Sequence, residues 1–239
     1  MKPNNFNSLF KPFFIVTKFY QNLQFKLKQH QIKKYDKLYT FMIPLEEINR
    51  LTRELFEFDP ATDYHCQRVA DMTEEFGTFL NIPKDQLLIY KQAARLHDIG
   101  KKDILPEIIK KPSDLDPSEK TIIQQHPIYS SEEIISLIPN SSPDELDYLT
   151  NIARIVRHHH ENYDGKHGYP DNLKGKEIPF GSRLLKITDT FDALTSRRPY
   201  KDAYDIDKSI ELMNNTNRTQ FDSSLLIQFF SFLTIRQTI

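Results

Sequence analysis

Apolar residues along the chain recur at intervals of three and four, and stretches in which apolar and polar residues alternate are absent. Residues at that spacing share one face of an α-helix, because the helix completes a turn about every 3.6 residues. Proline and glycine mark the ends of several such stretches, for example at Pro60, Pro83 and Gly100. The pattern therefore predicts an all-α fold in which each helix buries one apolar face.

Short turns separate the predicted helices, and one longer loop interrupts them. Residues 164–175 hold half of the six glycines and predict an ordered loop. Pro117 follows Asp116, which predicts a capped helix start because proline suits the first helical position. No internal repeat is found. The helices are predicted over residues 45–58, 65–80, 87–97, 119–125, 146–156 and 183–196, and from residue 221 onwards.

The composition is that of a globular protein. Of the 239 residues, 38% are hydrophobic and 27% are charged, which argues against a fibrous or intrinsically disordered chain. No apolar run reaches the length of a membrane span, and no cleavage site follows an apolar core near the start, so neither a membrane helix nor a secretory signal is predicted. Cys66 is the single cysteine, which excludes an internal disulfide and predicts a cytoplasmic location.

Charge is distributed unevenly along the chain. Residues 1–40 carry eight lysines and one acid, Asp36, whereas the remainder has 24 basic and 32 acidic residues. We interpret residues 1–59 as a short basic helical appendage with no assigned fold, and residues 60–239 as the functional domain, with the boundary between residues 42 and 60. A basic arm could dock on anionic lipid, on nucleic acid or on the acidic remainder, or it could be a solvated helix. The near-zero net charge gives no general argument for nucleic-acid binding.

Five of the eight histidines lie where predicted helices begin or end, beside the apolar faces. The His97-Asp98 pair offers an imidazole nitrogen and a carboxylate from one turn, and the two carboxylate oxygens can bridge two cations. A bridged metal pair generates hydroxide and cleaves phosphate esters at neutral pH. The candidate ligands are His65, His97, Asp98, His126, His159, His160 and Asp189.

Residues 61–225 resemble the HD-GYP subfamily of the HD-domain metal-dependent phosphohydrolases. Five motifs match in order, and a weaker sixth lies at 219–222. The third to fifth motifs are far more specific than a bare His-Asp pair. The five motifs are His65 with Arg68-Val69; His97-Asp98-Ile99-Gly100-Lys101; His126-Pro127; His159-His160-Glu161 leading through Asp164-Gly165 to Gly168-Tyr169-Pro170; and Asp189-Thr190-Phe191-Asp192-Ala193-Leu194 leading to Arg198-Pro199-Tyr200-Lys201.

The resemblance implies a helical bundle with a metal centre and an ordered loop beside it. It also implies a phosphodiesterase that hydrolyses cyclic di-GMP to pGpG or GMP with a metal-activated hydroxide, in bacterial second-messenger signalling. The seven candidates would be the ligands, with Asp98 as the bridge. Five imidazoles, two carboxylates and no thiolate favour iron or manganese over magnesium, which prefers oxygen ligands; zinc and nickel stay open.

The same resemblance assigns roles to residues around the metals. Lys101 would contact a non-bridging phosphate oxygen and, with Asp98, belong to the catalytic residues. Arg198 and Lys201 would hold the second phosphate of the substrate. The remaining roles are a pocket wall formed by Gly168, Tyr169 and Pro170, and Glu161 and Asp192 as partners that orient the histidines.

The sequence departs from the subfamily pattern at three places, one of which is Arg218, where a glycine commonly precedes the motif of residues 219–222. Ala61 stands four residues before His65, where some members have a glutamate that holds a third metal, so two divalent ions are predicted. One extra residue precedes Gly168 and lengthens the loop over the pocket, which bears on substrate preference. His158 is predicted to face away from the metals, and His167 to be either solvated or a phosphate contact. All ligand positions are filled, which predicts an active enzyme.

Alternative functions stay open at this level. The chain could hydrolyse another cyclic dinucleotide, or it could bind cyclic di-GMP without turnover and act through a protein partner. Nucleic-acid binding by residues 1–40 is a weaker alternative. The apolar residues Phe10, Phe13 and Phe14 are compatible with a homodimer. The sequence does not identify the regulatory signal.

Overall fold

The computed structural model describes residues 43–138, 143–197 and 202–236, and within these ranges it contains helices and no strands. The all-α prediction is confirmed. The described residues from Pro44 onwards belong to one compact unit. The helices are α1 (Ile43–Phe58), α2 (Pro60–Phe79), α3 (Lys84–Leu96), α4 (Pro106–Ile109), α5 (Pro117–Ile123), α6 (His126–Ser136), α7 (Pro143–Arg157), α8 (Phe180–Thr195), α9 (Ile206–Asn215), α10 (Asn217–Gln220) and α11 (Ser223–Arg236), with 3₁₀ turns at Ile99–Asp103 and Gly175–Glu177.

Helix α1 belongs, from Pro44 onwards, to the same compact unit as the helices that follow it. The division into an appendage of residues 1–59 and a further domain stays a prediction. Leu51 and Leu55 of α1 are fully buried, because their spacing of four puts both side chains on the same helix face. The assignment of the function to residues 60–239 stays a prediction.

Two helices begin at an aspartate followed by a proline. The side chain of Asp59 accepts a hydrogen bond from the amide of Thr62, and proline occupies the first turn of α2. Asp116 caps α5 in the same way, and the Glu119 carboxylate accepts the Asp116 amide in return, which completes a capping box. The predicted capped start of α5 is confirmed.

The sequence prediction missed helix α6. It extended a helix over residues 119–125 that delivers His126 from its end, whereas the structure ends α5 earlier and begins α6 at His126 itself. Only Ile134 among the isoleucines of α6 is fully buried, and the positions beside it on the buried face are Ser130 and Ser131. Because serines interrupt the apolar stripe, the spacing of apolar residues did not reveal this helix.

A cluster of phenylalanines packs together three helices, two of which carry candidate site residues. Phe76 of α2 contacts Phe229 of α11 with ring centroids 5.0 Å apart, and Phe191 of α8 contacts the same ring at 5.3 Å. A fully buried phenylalanine stabilises a fold by roughly 1.5–3 kcal/mol. The cluster therefore holds α2 against α8, the helices of His65 and Asp189. None of the helices in the described ranges is long and apolar enough to span a membrane.

Candidate metal centre

The seven predicted ligands converge on one place in the bundle. Five different helices or helix ends supply them, so no helix has to unwind to bring two ligands together. The ligating atoms form three overlapping groups, in each of which all atoms lie within 4.8 Å of one another. The groups are His126 with His159 and His160; His65 with His97 and Asp98; and His97 with His159 and Asp189.

Three of the histidine rings are held in the same way. The Nδ1 atoms of His97, His126 and His159 each lie 2.6–2.7 Å from the backbone carbonyl three residues earlier, at Ala94, Ile123 and Val156. A carbonyl oxygen can only accept a hydrogen bond, so each Nδ1 carries the proton. The Nε2 atom of each ring therefore faces the centre, where it can act as a metal ligand.

His65 is oriented by a carboxylate instead of a carbonyl. Its Nδ1 lies 2.6 Å from Oδ2 of Asp192, and its Nε2 lies 3.0 Å from Oδ1 of Asp189. Arg68 holds Asp192 through two hydrogen bonds of 2.7 and 2.9 Å. Asp192 thus contacts a candidate ligand, as the resemblance implied. Sequence reasoning gave Arg68 no role, although its position three residues after His65 puts it on the same helix face.

Replacing Asp192 with asparagine is expected to weaken divalent metal binding by about 10- to 100-fold, the usual cost of losing a residue that orients a metal-ligating histidine. The amide keeps the volume but removes the charge that fixes the His65 ring. Titration of the metal-free protein with Mn²⁺ measures the affinity. Asp71→Asn, at an exposed position of α2, is the matched control and should bind as the parent does. Equal affinities for the parent and Asp192→Asn would contradict the orienting role.

The two oxygens of Asp98 face different histidines. Oδ1 lies 3.1 Å from Nε2 of His126, whereas Oδ2 lies 3.4 Å from Nε2 of His97 and 3.8 Å from Nε2 of His65. Asp98 is almost completely buried. This arrangement allows one carboxylate to contribute an oxygen to each of two cations.

Two atoms at the heart of the cluster are buried without a hydrogen bond in the described structure: Nε2 of His97 and Oδ1 of Asp98. Buried polar atoms are almost always hydrogen-bonded, because an unpaired one costs about 1–3 kcal/mol. Both atoms are metal-ligating types and point at the other ligands. The donor set of nitrogen and oxygen atoms therefore fits divalent cations such as Fe²⁺ or Mn²⁺.

The two carboxylates of the centre are ionised. Burial alone would raise the pKa of Asp98, but His97 and Lys101 hold it well below its usual value. Burial also acts to raise the pKa of Asp189, and His65 and His97 outweigh it in the same way. The protein thus keeps two negative charges in a buried site, which is the electrostatic condition for binding cations.

The histidines divide into two electrostatic classes. Burial and neighbouring imidazoles hold the pKa values of His159 and His160 well below the usual value, so both rings are neutral and able to ligate. Burial also lowers the pKa values of His65 and His97, but Asp189 and Asp192 outweigh it at His65, Asp98 and Cys66 outweigh it at His97, and each pKa is raised to about 9. Metal binding would therefore displace protons from these two rings.

The loop around Gly168 packs against the end of the ligand run. The ring of Tyr169 stacks on the ring of His160, with centroids 4.7 Å apart. A Cβ atom on Gly168 would lie 2.4 Å from the amide nitrogen of Asn162, so a glycine is needed for this close approach. Pro170 follows a cis peptide bond. The predicted pocket wall thus lies beside a predicted ligand.

Four further residues were predicted to contact the substrate or to orient a histidine, and the structure describes two of them. Nζ of Lys101 lies 2.5 Å from Oδ2 of Asp98, at the edge of the centre. Glu161 accepts the amide of Asp171 and makes no hydrogen bond to a histidine ring in the described structure, unlike the role the resemblance implied. Arg198 and Lys201 lie outside the described residues, so their contacts with substrate stay predictions.

The other two histidines near the loop and the residues just before His65 lie outside the three ligand groups. His158 contacts Asp171 at 2.9 Å through Nε2, which agrees with the prediction that it faces away. His167 is exposed in the loop. Asp63, two residues before His65, is paired with Arg95 at 2.5 Å. Neither Asp63 nor Ala61 provides the additional ligand that a third metal would need.

The chain is similar to a known family model and to several known proteins. The HD-domain family model matches residues 50–225. The cyclic di-GMP phosphodiesterase response regulator RpfG of Xanthomonas campestris is 30% identical over 201 residues, covering 82% of this chain and 51% of that protein. The 3'3'-cGAMP-specific phosphodiesterase 3 of Vibrio cholerae is 35% identical over 163 residues, covering 68% and 33%. The chain thus spans about half or less of these relatives.

Solved structures share the fold. The HD domain of the Listeria monocytogenes phosphodiesterase PgpH matches with a TM-score of 0.55 at 15% identity, covering 79% of this chain and 98% of that one. Bd1817 of Bdellovibrio bacteriovorus, an HD-GYP-type protein, matches with a TM-score of 0.57 at 15% identity, covering 72% and 52%. At this identity the likeness concerns the fold alone.

Proposed function

Because the chain belongs to the HD-domain family and carries the motifs of its HD-GYP subfamily, we propose that it is a metal-dependent phosphodiesterase that hydrolyses cyclic di-GMP to pGpG or GMP. The observation that carries the proposal is the position of Asp98, whose two oxygens face two different groups of histidines. Such a carboxylate suits a pair of divalent ions, which we propose to be iron or manganese.

The proposed mechanism divides the work between the metals and the chain. When bound, the metal ions supply the Lewis acidity that activates water and offset the charge of the phosphodiester. The carbonyl-held rings of His97, His126 and His159 keep the ligand atoms in fixed positions. Attack of one water on phosphorus breaks one ester bond of the ring, and the leaving ribose oxygen takes up a proton. The product is the linear dinucleotide.

Substrate contacts come from residues around the metals. The ammonium group of Lys101 would move from Asp98 to a non-bridging phosphate oxygen, where it stabilises the charge that develops in the transition state. Arg198 and Lys201 would hold the second phosphate, so a substrate with two phosphates is favoured over a small monoester. Tyr169 would form part of the pocket wall beside His160.

A second substrate is favoured by a specific observation. Relatives that are 30–38% identical include three 3'3'-cGAMP-specific phosphodiesterases, and the loop of residues 164–170 is one residue longer than the usual subfamily pattern. Hydrolysis of a hybrid cyclic dinucleotide is therefore the alternative activity. A receptor that binds cyclic di-GMP without turnover is the alternative from another class. A homodimer, a signalling partner and a cytoplasmic location stay predictions.

Turnover by the full chain tests these alternatives. Protein loaded anaerobically with Mn²⁺ or Fe²⁺ is incubated with cyclic di-GMP, 3'3'-cGAMP and cyclic di-AMP in parallel, and products are separated chromatographically. We expect pGpG or GMP from cyclic di-GMP, with loss of activity on chelation. Faster turnover of 3'3'-cGAMP would assign the alternative substrate. Tight binding of cyclic di-GMP by metal-loaded protein without any product would assign the receptor function.

A further inference from the structure

Lys186 of α8 places its ammonium group beside the candidate ligand His160. None of the motifs named in the sequence includes this lysine. It lies three residues before Asp189, so both side chains project from the same face of the helix. Its Nζ donates to the backbone carbonyl of His160 at 3.3 Å. Lys186 of α8 therefore contacts the main chain of His160, a candidate ligand that follows the end of α7.

The carbonyl of His160 accepts from two donors. The second is the backbone amide of Tyr169, at 3.4 Å, whose ring stacks on the imidazole of His160. The carbonyl thus joins three parts of the site: α8 through Lys186, the ligand run through His160, and the loop through Tyr169. Loss of either donor would leave the orientation of the His160 peptide less restricted.

Lys186 is half-buried, and the carboxylates of Asp189 and Glu161 act on its ammonium group. Glu161 is almost completely buried, and its Oε2 has no hydrogen-bond partner in the described structure. A positive charge beside the His160 peptide offsets the charges of these two carboxylates.

We propose that Lys186 is a positioning residue that fixes the His160 peptide, and thereby holds the His160 ring in the group of His126 and His159 where one of the two metals binds. This inference rests on the proposed metal centre. It assigns to Lys186 a role in metal binding at one group only, since His65 and His97 have their own hydrogen-bond partners.

A change in metal affinity on replacing Lys186 has opposite signs for the two effects of this side chain, its positive charge and its hydrogen bond. An ammonium group repels a nearby divalent cation, so removing the charge of Lys186 alone would tighten metal binding. Removing its hydrogen bond would loosen the His160 ring and weaken binding. Lys186→Met keeps an apolar stem of similar length and removes both features, so weaker binding in this variant reports the loss of positioning.

The test measures Mn²⁺ affinity and stoichiometry in the metal-free full chain by calorimetric titration. For Lys186→Met we expect one of two binding steps to lose about tenfold in affinity, within the range typical of residues that orient ligands, and the other step to be unchanged. Lys186→Arg should restore binding. Lys176→Met, at an exposed position near the same loop, is the matched control and should behave as the parent.

Thermal unfolding of the metal-free variants accompanies the titration. Equal melting temperatures of the parent and Lys186→Met are expected, and a large fall together with failure of Lys186→Arg to restore binding would mean a general packing role. Unchanged or tighter Mn²⁺ binding by Lys186→Met would overturn the inference while leaving the metal centre standing. A parent protein that binds no Mn²⁺ would overturn the metal centre itself, and this inference with it.

Discussion

Asp98→Asn is expected to lower kcat/KM for cyclic dinucleotide hydrolysis by about 10³-fold or more. Asparagine has the same shape, but its amide nitrogen cannot ligate a cation, so the side chain can serve one metal and not two. The charge stabilisation that a metal ion supplies is worth several kcal/mol, and each 1.4 kcal/mol corresponds to about a factor of ten. Bound metal should fall from two ions towards one.

Steady-state kinetics and elemental analysis of the same preparation measure the two effects together. Asp103→Asn is the matched control, because Asp103 is exposed and ends the 3₁₀ turn that follows Asp98. It should keep full metal content and activity. Retention of both metals with unimpaired turnover by Asp98→Asn would show that Asp98 does not bridge, and the catalytic proposal would lose its main support.

Part of the convergence of the candidate ligands could be predicted from the sequence, because the geometry around three of the histidines is local. The Nδ1 atoms of His97, His126 and His159 each reach a carbonyl in the last turn of the preceding helix, three residues earlier. The position of the ring then depends on where the helix ends, which proline and the apolar spacing indicate. Asp98 follows His97 directly, so its place in the centre depends on the same helix end.

The partners of the ligands could not be predicted from spacing, because they are distant in sequence. His65 and Asp192 are separated by 127 residues, and Arg68 and Asp192 by 124. No periodicity relates such pairs; they meet only because α2 packs against α8. Lys186 likewise gains its role from a carbonyl on another element. Contacts of this kind depend on how the bundle is assembled.

Helix α6 could not be predicted from the spacing of apolar residues, because its buried face is partly polar. Ser130 is fully buried and accepts the amide of Gly100 at 2.8 Å while donating to the carbonyl of His97 at 2.9 Å. The serine thus joins α6 to the turn that carries Asp98. Because Ser130 is polar, the spacing of apolar residues did not indicate that this position is buried.

Gly100→Ala is expected to disrupt this junction and the metal centre with it. A Cβ atom there would lie 2.5 Å from the amide nitrogen of Ser130 and 2.6 Å from the carbonyl oxygen of His126, and backbone atoms cannot move aside as a flexible side chain can. We expect a loss of about 1–3 kcal/mol in the free energy of unfolding, as for other overpacked sites. The melting temperature should fall by about 2–4 °C per kcal/mol.

Gly175→Ala separates the site effect from a general loss of stability. Gly175 has a φ of 58°, which costs alanine about 1–2 kcal/mol, but nothing lies within 4 Å of the added Cβ. The two variants should therefore lose similar stability. Only Gly100→Ala should also lose metal affinity and turnover, because only there does the new methyl group push His126 away from Asp98. Equal activities of the two variants would mean that the close contact at Gly100 serves packing and not the metal centre.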